Sequence, residues 1–140
     1  TRQSINSTGL TIHDGSGLSR LNLITPRVTS QLLAAIARSN SAAVFTESLP
    51  IAATDGTLGG RLQRAKGKVR AKTGALTYIN ALSGYLTTSE GQTYAFSIIC
   101  NDNTTSSSAI RLIDQLVLTL DNYLDKGSAD KKSIPSNAKH

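Results

Sequence analysis

Hydrophobic and polar positions change rhythm along the chain, and each change marks a new kind of element. Val28, Leu32, Leu33 and Ile36 recur at spacings of three and four, which places them on one face of a helix from Pro26 to about Ser39. Thr25-Pro26 supplies its start: a hydroxyl to cap the first turn, then a proline where a missing N–H costs nothing. A second short helix is expected over Ala42 to Ser48, ending ahead of Pro50 because the residue before a proline resists the helical conformation. From Lys68 the rhythm shortens to two, with Lys68, Arg70 and Lys72 on one face of a strand and Val69 and Ala71 on the other. Further strands are expected over Ile79 to Thr87 and Thr93 to Ile99. The last of these sets Tyr94, Phe96, Ile98 and Cys100 against Ala95, Ser97 and Ile99. Ser89-Glu90-Gly91-Gln92 is the hairpin turn between them, with a glycine available for positive φ. A helical rhythm then returns in Ile110, Ile113, Leu116, Val117, Leu120 and Leu124, a stripe wide enough to pack on a sheet.

These elements predict an α+β fold, an antiparallel meander covered by a long C-terminal helix. Thr1 to Gly9 has no period and reads as a connection, and Leu10 to His13 as a short strand. Asp14-Gly15-Ser16-Gly17-Leu18-Ser19-Arg20 reads as a tight loop in which the glycines permit close backbone approach. Residues 54 to 67 form a glycine-rich, basic connection without the spacing of a phosphate-binding loop. The ordered portion is expected to span residues 1–125, followed by a basic, disordered tail at 126–140 that has no apolar period.

Composition narrows the function. The 140 residues include no Met, so Thr1 is not expected to be a translation start and the chain reads as a processed product or a fragment. The single Cys100 excludes an intramolecular disulfide and sits in an apolar run, where a buried structural thiol is expected. No apolar run is long enough to span a bilayer. Two His and one Cys lack metal-ligand spacing, and no cofactor is implied. The formal charge of +6 comes largely from the tail and from Arg61, Arg64, Lys66, Lys68, Arg70 and Lys72. That cluster is either a solvated face or a surface for an anionic ligand. A module gripping nucleic acid is the second reading, although no aromatic side chain interleaves with the cluster to stack on bases.

Candidate chemistry lies at the end of the first strand, in Lys72-Thr73-Gly74. Lys-Thr-Gly is one of three marks of penicillin-recognising serine enzymes. At a strand end it suits them: the strand edge can pair with an extended peptide, the hydroxyl can bind a carboxylate and the ammonium supplies positive potential. Read in order with the Asp14 to Arg20 loop, Ser48-Leu49-Pro50 and Asp55-Gly56-Thr57-Leu58, the triplet makes the chain resemble the C-terminal part of class C low-molecular-mass penicillin-binding proteins. These are D-alanyl-D-alanine carboxypeptidases and endopeptidases of the serine β-lactamase-like superfamily, and the resemblance covers roughly residues 8 to 124.

The resemblance implies an α/β sandwich and part of a transpeptidase-like domain. It implies a peptidoglycan peptide or a β-lactam as ligand, and an extracytoplasmic or periplasmic location. Lys72 would polarise the site, Thr73 and Gly74 would bind the substrate carboxylate and backbone, and the Ala75 N–H would share the oxyanion hole. Asp14, Gly15, Ser16, Gly17, Asp55 and Gly56 would shape the site. The nucleophile motif Ser-x-x-Lys and the Ser-x-Asn motif are absent from their expected places, so a missing N-terminal part is the expected partner. Ser128-Ala129-Asp130-Lys131, Ser136-Asn137-Ala138-Lys139 and Ser4-Ile5-Asn6 match only by spacing, lacking a frame that would position a nucleophile. Tyr78-Ile79-Asn80 falls at a strand start and is read the same way. His13-Asp14-Ser16 is too compressed for a catalytic triad.

Overall fold

The computed structural model describes residue 5 and residues 7–132, with side chains to residue 127. Helix α1 (Pro26–Ile36) begins as expected: Thr25 is extended and its Oγ1 accepts from the Val28 N–H at 3.2 Å. Its apolar face is narrower than the pattern implies. Val28 and Leu33 are buried, but Leu32 is 44% exposed. Helix α2 (Ala42–Glu47) follows, and residues 50–67 then run irregularly through 3₁₀ turns at Gly56–Leu58 and Gln63–Ala65. Leu10 to His13 forms no strand, only a single antiparallel bridge from Thr11 to Leu23, because the polar loop after it turns the chain away at once.

Strands β1 (Val69–Leu76), β2 (Ile79–Thr87) and β3 (Thr93–Cys100) form a three-stranded antiparallel sheet in sequence order. The register pairs Ala71 with Gly84, Thr73 with Leu82 and Ala75 with Asn80. Gly84 is a steric requirement. A Cβ there would lie 2.5 Å from Ala71 Cα and would overlap the Arg70 carbonyl oxygen.

Each face of the sheet carries a helical layer. On one face Val69, Ala71, Leu82, Leu86 and Phe96 meet Ile113 and Val117 of α3 (Ser106–Lys132), together with Leu58, Leu62 and Ala65 from the irregular segment. On the other, Tyr85 packs among Leu33, Leu49 and Phe45. The Phe45 and Tyr85 rings meet edge to face at 6.4 Å, and the Tyr85 hydroxyl donates to the Leu33 carbonyl at 2.8 Å. Fully burying such a leucine or aromatic side chain stabilises the fold by about 1.5–3 kcal/mol.

Four expectations need correction. Leu116 is 48% exposed, because Ala109 and Asp121 share the buried side of α3 with Ile113 and Val117. Cys100 is half-buried, since it ends β3 at the margin of the core. The expected tail is helical over 126–132, because α3 continues past its last apolar contact; residues 133–140 lie outside the described residues. The basic cluster is also divided. Arg61 donates to Asp114 of α3 at 2.7 Å, while Lys68, which precedes β1, reaches Asp121 at 2.9 Å and Asp125 at 2.7 Å. With Lys68 bound to carboxylates of α3, Lys68, Arg70 and Lys72 do not form one open basic face.

The Lys68 cluster also holds the β2–β3 turn, because Asp125 accepts from the Ser89 N–H at 3.0 Å and its hydroxyl at 2.6 Å. Lys68 first, then Ser89, brings the Asp125 carboxyl down from an ordinary 3.8 to about 2. The bond to Asp125 is also the main cause that raises the Lys68 ammonium above 10.5. A depressed carboxylate contributes stability above its unfolded value and loses it as pH falls through its folded value; a raised ammonium contributes below 10.5 and loses it as pH rises further. Urea midpoints measured against pH should therefore fall at both extremes. Asp125→Asn should flatten the limb between pH 3.8 and about 2, and an unchanged acid limb would refute the assignment.

Candidate active site

The outer edge of β1 is half closed and half open. The Ala71 N–H donates to the Pro50 carbonyl at 3.0 Å and the Val69 carbonyl accepts from the Ala52 N–H at 2.9 Å, so odd-numbered residues direct their backbone polar groups away from β2. Even-numbered ones face β2, as the 2.8 Å bond from the Thr87 N–H to the Lys68 carbonyl illustrates. Alternation along an antiparallel strand carries this rule forward to Thr73 and Ala75, whose N–H and C=O groups project from the edge beyond the Pro50–Ala52 segment. Such an edge can receive an added strand.

The closing segment also reaches the triplet. Asp55 Oδ1 accepts from the Ile51 N–H at 2.6 Å and tightens the turn. Gly56 follows with φ +50°, where a Cβ would press on Pro50 at 3.2 Å. The next residue, Thr57, then accepts a hydrogen bond from the Thr73 hydroxyl at 3.1 Å. Asp55 and Gly56 thus hold the loop whose tip touches Thr73. The exposed Lys72 ammonium folds forward and donates to the Thr73 carbonyl at 2.7 Å.

Asp14, Gly15 and Gly17 approach the triplet from the opposite side. The Asp14 carboxylate organises its loop, accepting from Asn22 Nδ2 at 2.9 Å and from the N–H groups of Gly17 and Ser19, each at 3.0 Å. Asn22, foremost, and these N–H groups hold the carboxyl below its usual range despite burial's opposing push. Asn22 Oδ1 in turn accepts from the His13 N–H at 2.7 Å. Ser16 donates to Asp14 at 3.3 Å, giving a local turn rather than a nucleophile and base. Between this loop and the sheet runs a groove of about 720 Å³, bordered by Gly74, Ala75, Leu76, Ile79, Ile99 and the Arg20 loop.

The structure therefore gathers Gly74, Ala75 and the Asp14 loop around one groove and sets Thr57 against Thr73. Asn22 and Gly84 are absent from the sequence-based reading, and Thr57 enters it only within Asp55-Gly56-Thr57-Leu58, with no role of its own. Asn22 carries no pattern until its partner Asp14 is known, Thr57 passes as a turn residue, and Gly84 looks like an ordinary interruption of a strand. Among the spacing matches, 128–131 has helical backbone and no described side chains. Ser4, Asn6 and 136–139 lie outside the described residues.

A sheet between helical layers, with Lys-Thr-Gly inside a half-open edge strand, two residues short of its end, beside a groove, belongs to the class of penicillin-recognising folds. The sequence matches the D-Ala-D-Ala carboxypeptidase 3 (S13) family over residues 1–123, and the chain belongs to that family. It is 36% identical over 126 residues to a D-alanyl-D-alanine carboxypeptidase of Actinomadura sp. strain R39, covering 85% of this chain and 23% of that protein. Penicillin-binding protein 4 of Haemophilus influenzae, solved with a β-lactam, matches 73% of this chain and 24% of its own at 35% identity and TM-score 0.66. A penicillin-G-acylated predatory endopeptidase of Bdellovibrio bacteriovorus, in complex with an immunity protein, matches 84% of this chain and 35% of its own at 25% identity and TM-score 0.70. The chain thus spans about a quarter of the length of the curated relatives it matches.

Proposed function

We propose that this chain supplies the carboxylate-binding wall of a serine-type D-alanyl-D-alanine carboxypeptidase or endopeptidase that acts on peptidoglycan stem peptides and is acylated by β-lactams. The observation that carries the reading is the half-open edge of β1: strand alternation turns the backbone groups of Thr73 and Ala75 outward, and Ala75 borders the groove. A peptide laid along this edge pairs with the strand. Its terminal carboxylate meets the Thr73 hydroxyl, with the Lys72 charge close by. The Ala75 N–H donates to the oxygen that becomes negative when a serine attacks the scissile carbonyl, a role in which a preorganised donor lowers the barrier. Gly74 keeps the approach open, and the Asp14 and Asp55 loops form opposing rims.

The attacking serine and its lysine base come from another part of the same protein, whose action is extracytoplasmic. No helix among the described residues is long and apolar enough to cross a membrane. The nucleic-acid reading has less to stand on, because Arg61 and Lys68 are committed to carboxylates of α3.

Labelled penicillin tests the proposal. The chain alone should form no covalent adduct, whereas the longer protein should be labelled stoichiometrically. Thr73→Ala in the longer protein should slow peptide hydrolysis about tenfold, the loss of one charge-assisted hydrogen bond, with the fold intact. Adduct formation on the isolated chain would overturn the division of labour, and unchanged turnover in the variant would remove Thr73 from the carboxylate site.

A further inference from the structure

A second cleft, of about 390 Å³, opens on the α1 and α2 side of the sheet, toward the start of β1. Ala37, Ala42 and Thr46 line it from the helical side, and Arg70, Thr87 and Thr93 line it from the sheet. It shares none of its lining residues with the groove beside Gly74. Along β1, Arg70 and Gly74 are separated by about 13 Å at ordinary strand rise.

Arg70 distinguishes this cleft. Nearby Arg61 and Lys68 each end on aspartates of α3, whereas half-buried Arg70 has no carboxylate within ion-pair reach among the described residues. A partly desolvated guanidinium is stabilised by a counter-ion. Lys68 also borders the cleft, but its ammonium is ion-paired with Asp121 and Asp125. Among the described residues that line the cleft, Arg70 is therefore the cation without a carboxylate partner. Thr87 and Thr93, hydrogen-bonded to each other at 3.1 Å, place two hydroxyls nearby, and the alanines leave the opposite wall apolar.

We propose that this cleft binds a small monocarboxylate with a short aliphatic body, held by the Arg70 fork and seated against the alanines. One cation matches a single negative charge, and the planar guanidinium fits a carboxylate with two parallel hydrogen bonds. Inorganic phosphate, largely dianionic at neutral pH, would keep a second negative charge that the single Arg70 guanidinium does not offset. The site is independent of the Lys72-Thr73-Gly74 groove and does not rest on its proposed function.

Sodium butyrate titrated into the full chain labelled with ¹⁵N-arginine provides the test, with inorganic phosphate as the second arm. Butyrate should shift the Arg70 side-chain resonance saturably, and phosphate should shift it at least tenfold more weakly. Arg70→Met should abolish saturable binding, and Thr93→Val, at an exposed position, should weaken it severalfold. Arg64→Met, an exposed control, should leave it unchanged. The proposal fails if the Arg70 signal does not move, if phosphate binds as well as butyrate, or if Arg64→Met weakens binding as much as Thr93→Val. It also fails if another segment of the protein already occupies Arg70 and blocks titration.

Discussion

Gly84→Ala should destabilise the fold by about 3 kcal/mol, the upper end for forcing one extra carbon into a packed interior. The added methyl has no free direction, since it would meet the Arg70 carbonyl and Ala71 Cα, both backbone. Relief requires β1 to move away from β2, shifting the strand that carries Lys72-Thr73-Gly74. Urea midpoints measured with circular dichroism should report the loss, and in the longer protein the surviving folded fraction should be acylated by a β-lactam more slowly. Ala71→Gly should not restore stability, because it removes only a side chain and leaves the carbonyl in place. Full rescue by that second change would show that the clash lies between side chains and would refute the backbone account.

Lys72→Met should lower the rate of β-lactam acylation in the longer protein by about a hundredfold or more, the scale expected when a preorganised electrostatic group is removed from a site of developing charge. Stability should change little, because Lys72 is exposed and its only described hydrogen bond is to the adjacent Thr73 carbonyl. Stopped-flow acylation beside a urea curve separates the two effects. A rate loss matched by a stability loss would make Lys72 a structural residue. An unchanged rate would exclude it from the chemistry.

The sequence carries the local decisions of this fold well. Thr25-Pro26 begins α1 through a cap that needs no tertiary partner, and the period-two runs become the three strands, with β3 extending one residue further to Cys100. What it conceals are relations between distant residues. Leu32 and Leu116 obey helical spacing, yet neighbouring positions take the contact. Lys68 belongs to the alternating pattern of β1 but sits one residue ahead of the strand, free to turn toward α3. In the candidate site the Lys72-Thr73-Gly74 triplet is legible because its order and context are local. Asn22 and the contact of Thr57 with Thr73 are not, since each depends on a partner reached only after the chain folds back.

Asp125 ties together segments far apart in the chain: the lead into β1 through Lys68 and the β2–β3 turn through Ser89. Anyone grafting this domain onto a related enzyme would be drawn to cut after Leu124, the last apolar residue of α3 that packs on the core. Such a chimera would retain every residue of the groove and still release one end of the sheet. For this fold the safe splice point is set by where the last carboxylate anchors, beyond the end of the oily stripe.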